Sequence, residues 1–156
     1  MTDQPHPKRG PRVPPGAYFL AAIAVELLLH RYAPLAAPIA YPWRLLGILP
    51  IAAGLVLAAV GIAQFIRHRT TLHTDRQSSA LVTDGVFALS RNPGYLAILL
   101  VLAGEALWLG SLSPWLAPLA LLPVLVYRYI KPEEEMLLDT FGDEYRRYMA
   151  RVRRWI

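Results

Sequence analysis

Two polar runs in an otherwise apolar chain have the residue types and spacing for ligand chemistry. The first is Ser90-Arg91-Asn92-Pro93-Gly94-Tyr95, preceded by Leu81-Val82-Thr83-Asp84-Gly85-Val86-Phe87. Asn92 and Pro93 suit the N-cap and first position of a helix. Unpaired N–H groups and the positive end of the helix dipole gather at such a start. Arg91 beside it adds a fixed charge, so the place suits a carboxylate or phosphate. A plainer account is also open: Asn92-Pro93 caps a helix, Arg91 follows membrane topology, and Tyr95 belongs to an interfacial aromatic belt.

The second run is Lys131-Pro132-Glu133-Glu134-Glu135, directly after a long apolar stretch. Three adjacent carboxylates at a membrane edge repel one another and the anionic headgroups. They can accept hydrogen bonds from a ribose diol or face a sulfonium cation. On the plainer account Pro132 opens a helix and the glutamates favour its positive end. Beyond them Leu137, Phe141, Tyr145, Tyr148 and Val152 recur at steps of three or four, an apolar helical stripe interleaved with arginines. That pattern fits a helix lying on an anionic surface over the ends of membrane spans. Glu26 and Glu105 fall within apolar stretches, where a carboxylate is costly and a functional candidate, unless it is protonated or bonded to a neighbour such as Gln64. The four histidines lack the spacing of a helical metal pair, and without cysteine neither a disulfide nor a thiolate metal site exists.

The elements that must position these runs are membrane spans. Of the 156 residues 55% are hydrophobic and 17% charged, with mean hydropathy +0.35. That is too apolar for an ordinary soluble domain. Residues 1–16 are rich in proline and basic residues and read as a disordered cytoplasmic tail. Residues 17–156 read as a single transmembrane domain. Its spans are expected from Ala17 to Leu29, Leu45 to Ile66, Tyr95 to Leu112 and Trp115 to Ile130. The second, at roughly 33 Å, is long enough for a hydrocarbon core of about 30 Å. Only Ser113 and Pro114 separate the last two, which predicts an antiparallel hairpin. The expected fold class is all-α, with about four transmembrane helices and a cytoplasmic C-terminal amphipathic helix.

With four spans, the tail, the 67–94 loop and the C-terminal segment share one side. That side carries every Lys and Arg except Arg31 and Arg44. The positive-inside rule makes it cytoplasmic. The expectation is an integral protein of a bacterial or archaeal inner membrane with both termini in the cytoplasm. The net charge of +5 then faces membrane lipids, and no nucleic acid is expected as a partner.

From about Thr70 to Ile156 the chain resembles the isoprenylcysteine carboxyl methyltransferase and phospholipid methyltransferase family of integral membrane methyltransferases. Leu81, Gly85 with Phe87, and Arg91-Asn92-Pro93-Gly94-Tyr95 are similar to the family's leucine-rich approach, glycine-aromatic pair and Arg-His/Asn-Pro-x-Tyr helix start. A helical hairpin, Glu133-Glu134, Phe141-Gly142-Asp143-Glu144-Tyr145 with Tyr148, and a Val152-Arg153-Arg154 ending come next in family order. The resemblance implies an S-adenosylmethionine-dependent methyltransferase acting on a lipid-like or small apolar acceptor. It implies cofactor contacts at Leu81, Gly85, Arg91, Asn92, Pro93, Tyr95, Glu133 and Glu134, with Glu134 or Arg91 orienting or deprotonating the acceptor. Asn92 stands where many members carry histidine, so no histidine base is expected there. Two rival readings are an NADPH-dependent reductase of related architecture and a non-catalytic membrane protein. The reductase reading expects Asn before the tyrosine, where this chain has Gly94.

Overall fold

The computed structural model describes residues 13–67 and 81–156. The described residues form helices and turns and no strand. Helix α1 runs Pro15–Tyr32, so it begins two residues inside the stretch read as tail. The rest of that tail, residues 1–12, and loop residues 68–80 lie outside the described residues. After a 3₁₀ turn at Trp43–Gly47 comes α2, Ile48–Arg67. A second 3₁₀ turn at Gly85–Ala88 leads to α3, Pro93–Leu109. A third, Ser113–Trp115, leads to α4, Leu116–Leu125. A π turn at Val126–Ile130 joins α4 to α5, Lys131–Phe141, and α6 lies beyond it at Asp143–Arg151.

Two helical stretches are long and apolar enough to cross a membrane, Trp43–Arg67 and Ser113–Phe141. Helix α3 is apolar but shorter, and Glu26, His30 and Arg31 dilute the apolar content of α1. Leu20, Leu28, Leu49, Val56, Ile66 and Leu119 all stand on the exterior, more than half exposed. An apolar exterior on this scale needs an apolar surrounding. The expected third span is cut short because Gly110, at φ 78°, adopts the left-handed conformation that ends a helix, its N–H returning to the Ala106 carbonyl at 3.2 Å. The link to α4 therefore starts at Gly110 rather than Ser113. There Ile39 N–H donates to the Gly110 carbonyl at 3.3 Å and Leu112 N–H to the Ala36 carbonyl at 2.9 Å. These bonds gather the loop after α1 and the α3–α4 link at one end of the bundle.

Helices α2 and α3 touch backbone to backbone. Gly47, Gly54 and Gly61 recur every seven residues and so share one face, and all three are buried. A Cβ on Gly104 would lie 2.6 Å from the Gly47 carbonyl oxygen and 2.8 Å from the Ile51 nitrogen; one on Gly54 would lie 2.8 Å from the Ala97 carbonyl oxygen. In lipid, where tails compete for every apolar face, such close small-residue packing is a main source of helix association. Ala22, Leu102, Ala117, Leu121, Leu125 and Tyr129 form the core between α1, α3 and α4.

The π turn shifts the register of the helix beyond it. Lys131 N–H reaches back five residues to the Val126 carbonyl. Pro132 has no N–H to give the Arg128 carbonyl, and its ring crowds that oxygen, which is the physical reason for a wide turn here. Leu121 and Leu125 face the core at a step of four; then Tyr129 and Ile130 are both buried, and Glu134 comes next on the same inner face. The helix runs on through Pro132, so that proline does not open a new helix and the glutamates do not sit at a free N-terminus. Their inward aim comes from the shifted register.

Replacing Gly104 with alanine should destabilise the protein by about 1–3 kcal/mol, because backbone atoms cannot yield to the added methyl. Gly16, in α1, has nothing within 4 Å of its Cβ position. Its alanine variant should be neutral or gain up to about 1 kcal/mol from helix propensity. Thermal unfolding in one detergent compares the two.

Candidate active site

The loop before α3 and the glutamates after the π turn meet at the end of the bundle opposite the α3–α4 link. Arg91 Nη2 lies 3.1 Å from Glu134 Oε1, and both side chains are 9% exposed. Arg154, beyond α6, grips the same carboxylate through Nε to Oε1 at 3.1 Å and Nη2 to Oε2 at 2.6 Å. One buried carboxylate thus holds two guanidinium groups, one of them bidentately. Next to it the Tyr95 hydroxyl donates to Glu133 Oε2 at 3.3 Å. Of the three adjacent glutamates, Glu134 is buried, Glu133 half-buried and Glu135 exposed.

Backbone bonds fasten the C-terminal segment to the loop. Arg91 N–H donates to the Arg153 carbonyl at 3.1 Å. The Arg154 carbonyl accepts from Asn92 Nδ2 at 3.1 Å and from Ser90 Oγ at 3.3 Å. Asn92 does occupy the N-cap position, but its side chain makes no capping bond because the amide is turned to the tail. Ser90 Oγ instead accepts the Asn92 N–H at 3.1 Å. Pro93 is buried as the first residue of α3. Tyr95 points into the site, its ring 6.1 Å from that of Tyr129, and so is not a membrane-belt aromatic.

The apolar stripe seals the site from below. It is broken at Gly142 between α5 and α6, yet Tyr145, Tyr148 and Val152 pack with Val82 and Phe87, and Leu81, Leu137 and Phe141 close around them. Leu81 therefore belongs to this apolar floor. The Tyr148 hydroxyl donates to the Phe87 carbonyl at 2.6 Å. Gly85, at φ 55°, needs the freedom of glycine for the turn, and Gln64 covers it: Nε2 donates to the Asp84 carbonyl at 3.1 Å, and Oε1 accepts Val86 N–H at 3.0 Å. Gln64 is occupied in that role, while neither oxygen of the fully buried Glu26 has a partner among the described residues.

Burial raises the affinity of Tyr145 for its proton, the Glu134 carboxylate adds to this, and Arg91 partly opposes it. Burial likewise pushes Tyr148 up to about 12 against the lowering influence of Arg91. Hydrogen bonding to Glu134 holds the Arg154 charge more firmly than usual, against the opposing effect of burial. The decisive feature is what remains unpaired. Arg91 Nε and Nη1 are buried without a hydrogen-bond partner among the described residues. Buried guanidinium donors are rarely left so, which marks Arg91 as the candidate for contact with an anionic group.

A profile described as phospholipid methyltransferase matches residues 43–144. The chain belongs to the phospholipid methyltransferase family. The match takes in Arg91, Asn92, Tyr95, Glu133 and Glu134 and stops before Tyr145, Tyr148 and Arg154. Over 62 residues the chain is also 45% identical to an uncharacterised protein of Haemophilus influenzae, covering 40% of this chain and 98% of that one. The family resemblance expected from residues 70–156 is thereby established, and with it a methyltransferase lineage. Sequence reasoning assigned the terminal arginines to membrane docking and missed Arg154 as a site residue; the Val-x-Arg ending was the signal that pointed to it. Gln64, read as a partner for Glu26 or Glu105, instead supports the turn at Gly85. Among the described residues no group of three or more His, Cys, Asp or Glu gathers to hold a metal.

Tyr148→Phe should cost about 1–2 kcal/mol, since it leaves the Phe87 carbonyl buried without its donor. Folding favours neutral Tyr148, so this contribution is complete below the ordinary tyrosine value of 10.0 and lost as pH rises from there toward 12. Thermal unfolding of both proteins between neutral pH and pH 11 measures the loss, which the phenylalanine variant lacks.

Proposed function

We propose that this chain is an integral membrane methyltransferase that takes its methyl group from S-adenosylmethionine and passes it to a lipid-like or small apolar acceptor at the cytoplasmic face. The observation that carries this reading is the pair of buried Arg91 nitrogens, Nε and Nη1, that have no hydrogen-bond partner among the described residues. They match the carboxylate of the donor's amino-acid portion, and Glu133, steadied by Tyr95, offers a carboxylate to the ribose hydroxyls or the ammonium group. When bound, S-adenosylmethionine supplies a methyl group made electrophilic by its sulfonium. The chain's residues bind and align, and the apolar helices exclude water from the reacting atoms. Asn92, Pro93 and Gly85 shape the loop that presents Arg91, and Leu81 lies in its apolar support.

Glu134 serves this site as an anchor. Both of its oxygens are engaged by arginines, so its role is to hold Arg91 in place rather than to accept a proton from the acceptor. Membership of the methyltransferase family favours this reading over a reductase or a non-catalytic protein. The proposed topology has four spans in one domain over residues 17–156. The starts of α1 and α3, the ends of α2 and α4, and all of α5 and α6 lie at the cytoplasmic side. Consistent with it, the Tyr129 hydroxyl donates to the Val13 carbonyl at 2.5 Å, beside the site. At the far end His30 Nδ1 meets Ser111 Oγ at 2.8 Å and Ser113 Oγ donates to the Leu29 carbonyl at 3.3 Å.

Calorimetric titration of the detergent-solubilised protein should show binding of S-adenosylmethionine and of its demethylated product, and none of NADPH. Arg91→Ala should weaken both by about tenfold or more, the effect of losing charge-assisted hydrogen bonds. Binding of NADPH alone overturns the reading. The chain has no cysteine, so single cysteines can report topology directly. Arg153→Cys should react with an impermeant maleimide only from the cytoplasmic side and Ala36→Cys only from the opposite side; labelling of both from one side excludes four spans.

A further inference from the structure

Arg154 is positioned to decide whether Arg91 is available to a ligand. Glu134 has two oxygens and three guanidinium contacts. Arg154 covers Oε2 alone at 2.6 Å and shares Oε1 with Arg91, each at 3.1 Å. Arg91 is thereby limited to one contact, through Nη2, and keeps Nε and Nη1 unspent. The cluster of two cations and one anion also retains a single positive charge. If Arg154 were absent, both oxygens of Glu134 would attract the Arg91 fork. A two-pronged pair would then consume at least one of its unspent donors and leave the cluster neutral.

The tail is built to place Arg154 there. Its own carbonyl and that of Arg153 accept three hydrogen bonds from Arg91, Asn92 and Ser90. The side chain is about a third exposed at 34%, so it does not seal a hydrophobic core, and it lies past the residues that match the family profile. Resting on the donor-binding reading above, we infer that Arg154 is a positioning residue: by engaging both oxygens of Glu134 it reserves Arg91 Nε and Nη1 for the carboxylate of the methyl donor. Arg154 itself need not touch the ligand. Its effect is confined to the ligand's carboxylate.

The test titrates full-length protein in detergent with S-adenosylhomocysteine and with methylthioadenosine, which keeps the nucleoside and thioether and lacks the amino-acid portion. Arg154→Gln should weaken S-adenosylhomocysteine by about tenfold or more, the loss of one charge-assisted bond, and leave methylthioadenosine within about twofold. Arg154→Lys keeps the charge without the fork and should weaken S-adenosylhomocysteine alone, by a smaller factor. Equal weakening of both ligands or an unchanged lysine variant each overturns the inference. Failure of the unaltered protein to bind S-adenosylhomocysteine overturns the donor-binding reading itself, and the role of Arg154 with it.

Discussion

A buried carboxylate held between two guanidinium groups organises the end of the bundle that carries the candidate site. Charges withdrawn from water are stable only when paired and hydrogen-bonded, and removing one member of a buried pair typically costs about 3–5 kcal/mol. Glu134 therefore ties together three segments that are far apart in the chain: the Arg91 loop, the helix beyond the π turn and the C-terminal tail. Each depends on the others for its place. The apolar floor of Tyr145, Tyr148 and Val152 beneath them keeps the arrangement away from water.

The rest of the bundle makes that meeting possible. Backbone contact between α2 and α3 at Gly47, Gly54 and Gly104 fixes how those helices lie. Gln64 on α2 then holds the turn at Gly85, which leads directly into Arg91. From the other side the π turn moves the register of the last apolar helix by one residue and brings Glu134 inward. A close-packed pair of helices and one wide turn thus aim both halves of the site at a common point.

The site differs from an ordinary structural ion cluster in one respect. In a purely structural cluster every donor is expected to find an acceptor, since an unsatisfied buried N–H costs about 1–3 kcal/mol. Here the carboxylate is fully engaged while Arg91 Nε and Nη1 have no partner among the described residues. The proposed binding of a methyl donor rests on that imbalance.

Much of this was legible in the residues themselves. Hydropathy marked the apolar helices, the Arg-Asn-Pro-x-Tyr and Glu-Glu runs marked the two sides of the site, and the spacing of Tyr145, Tyr148 and Val152 marked its floor, because each of these depends on local periodicity or composition. Other features depend on contacts between distant segments. The sequence alone distinguished neither which of three adjacent glutamates turns inward nor that Asn92 bonds to the tail instead of capping its helix. It also left Arg154 among several terminal arginines, where only the fold separates a membrane-docking charge from a site residue. The π turn has a local cause in Pro132, but the partner a buried charge or amide takes is set by tertiary packing, since Arg91 meets Glu134 and Asn92 meets the Arg154 carbonyl across segments distant in the chain.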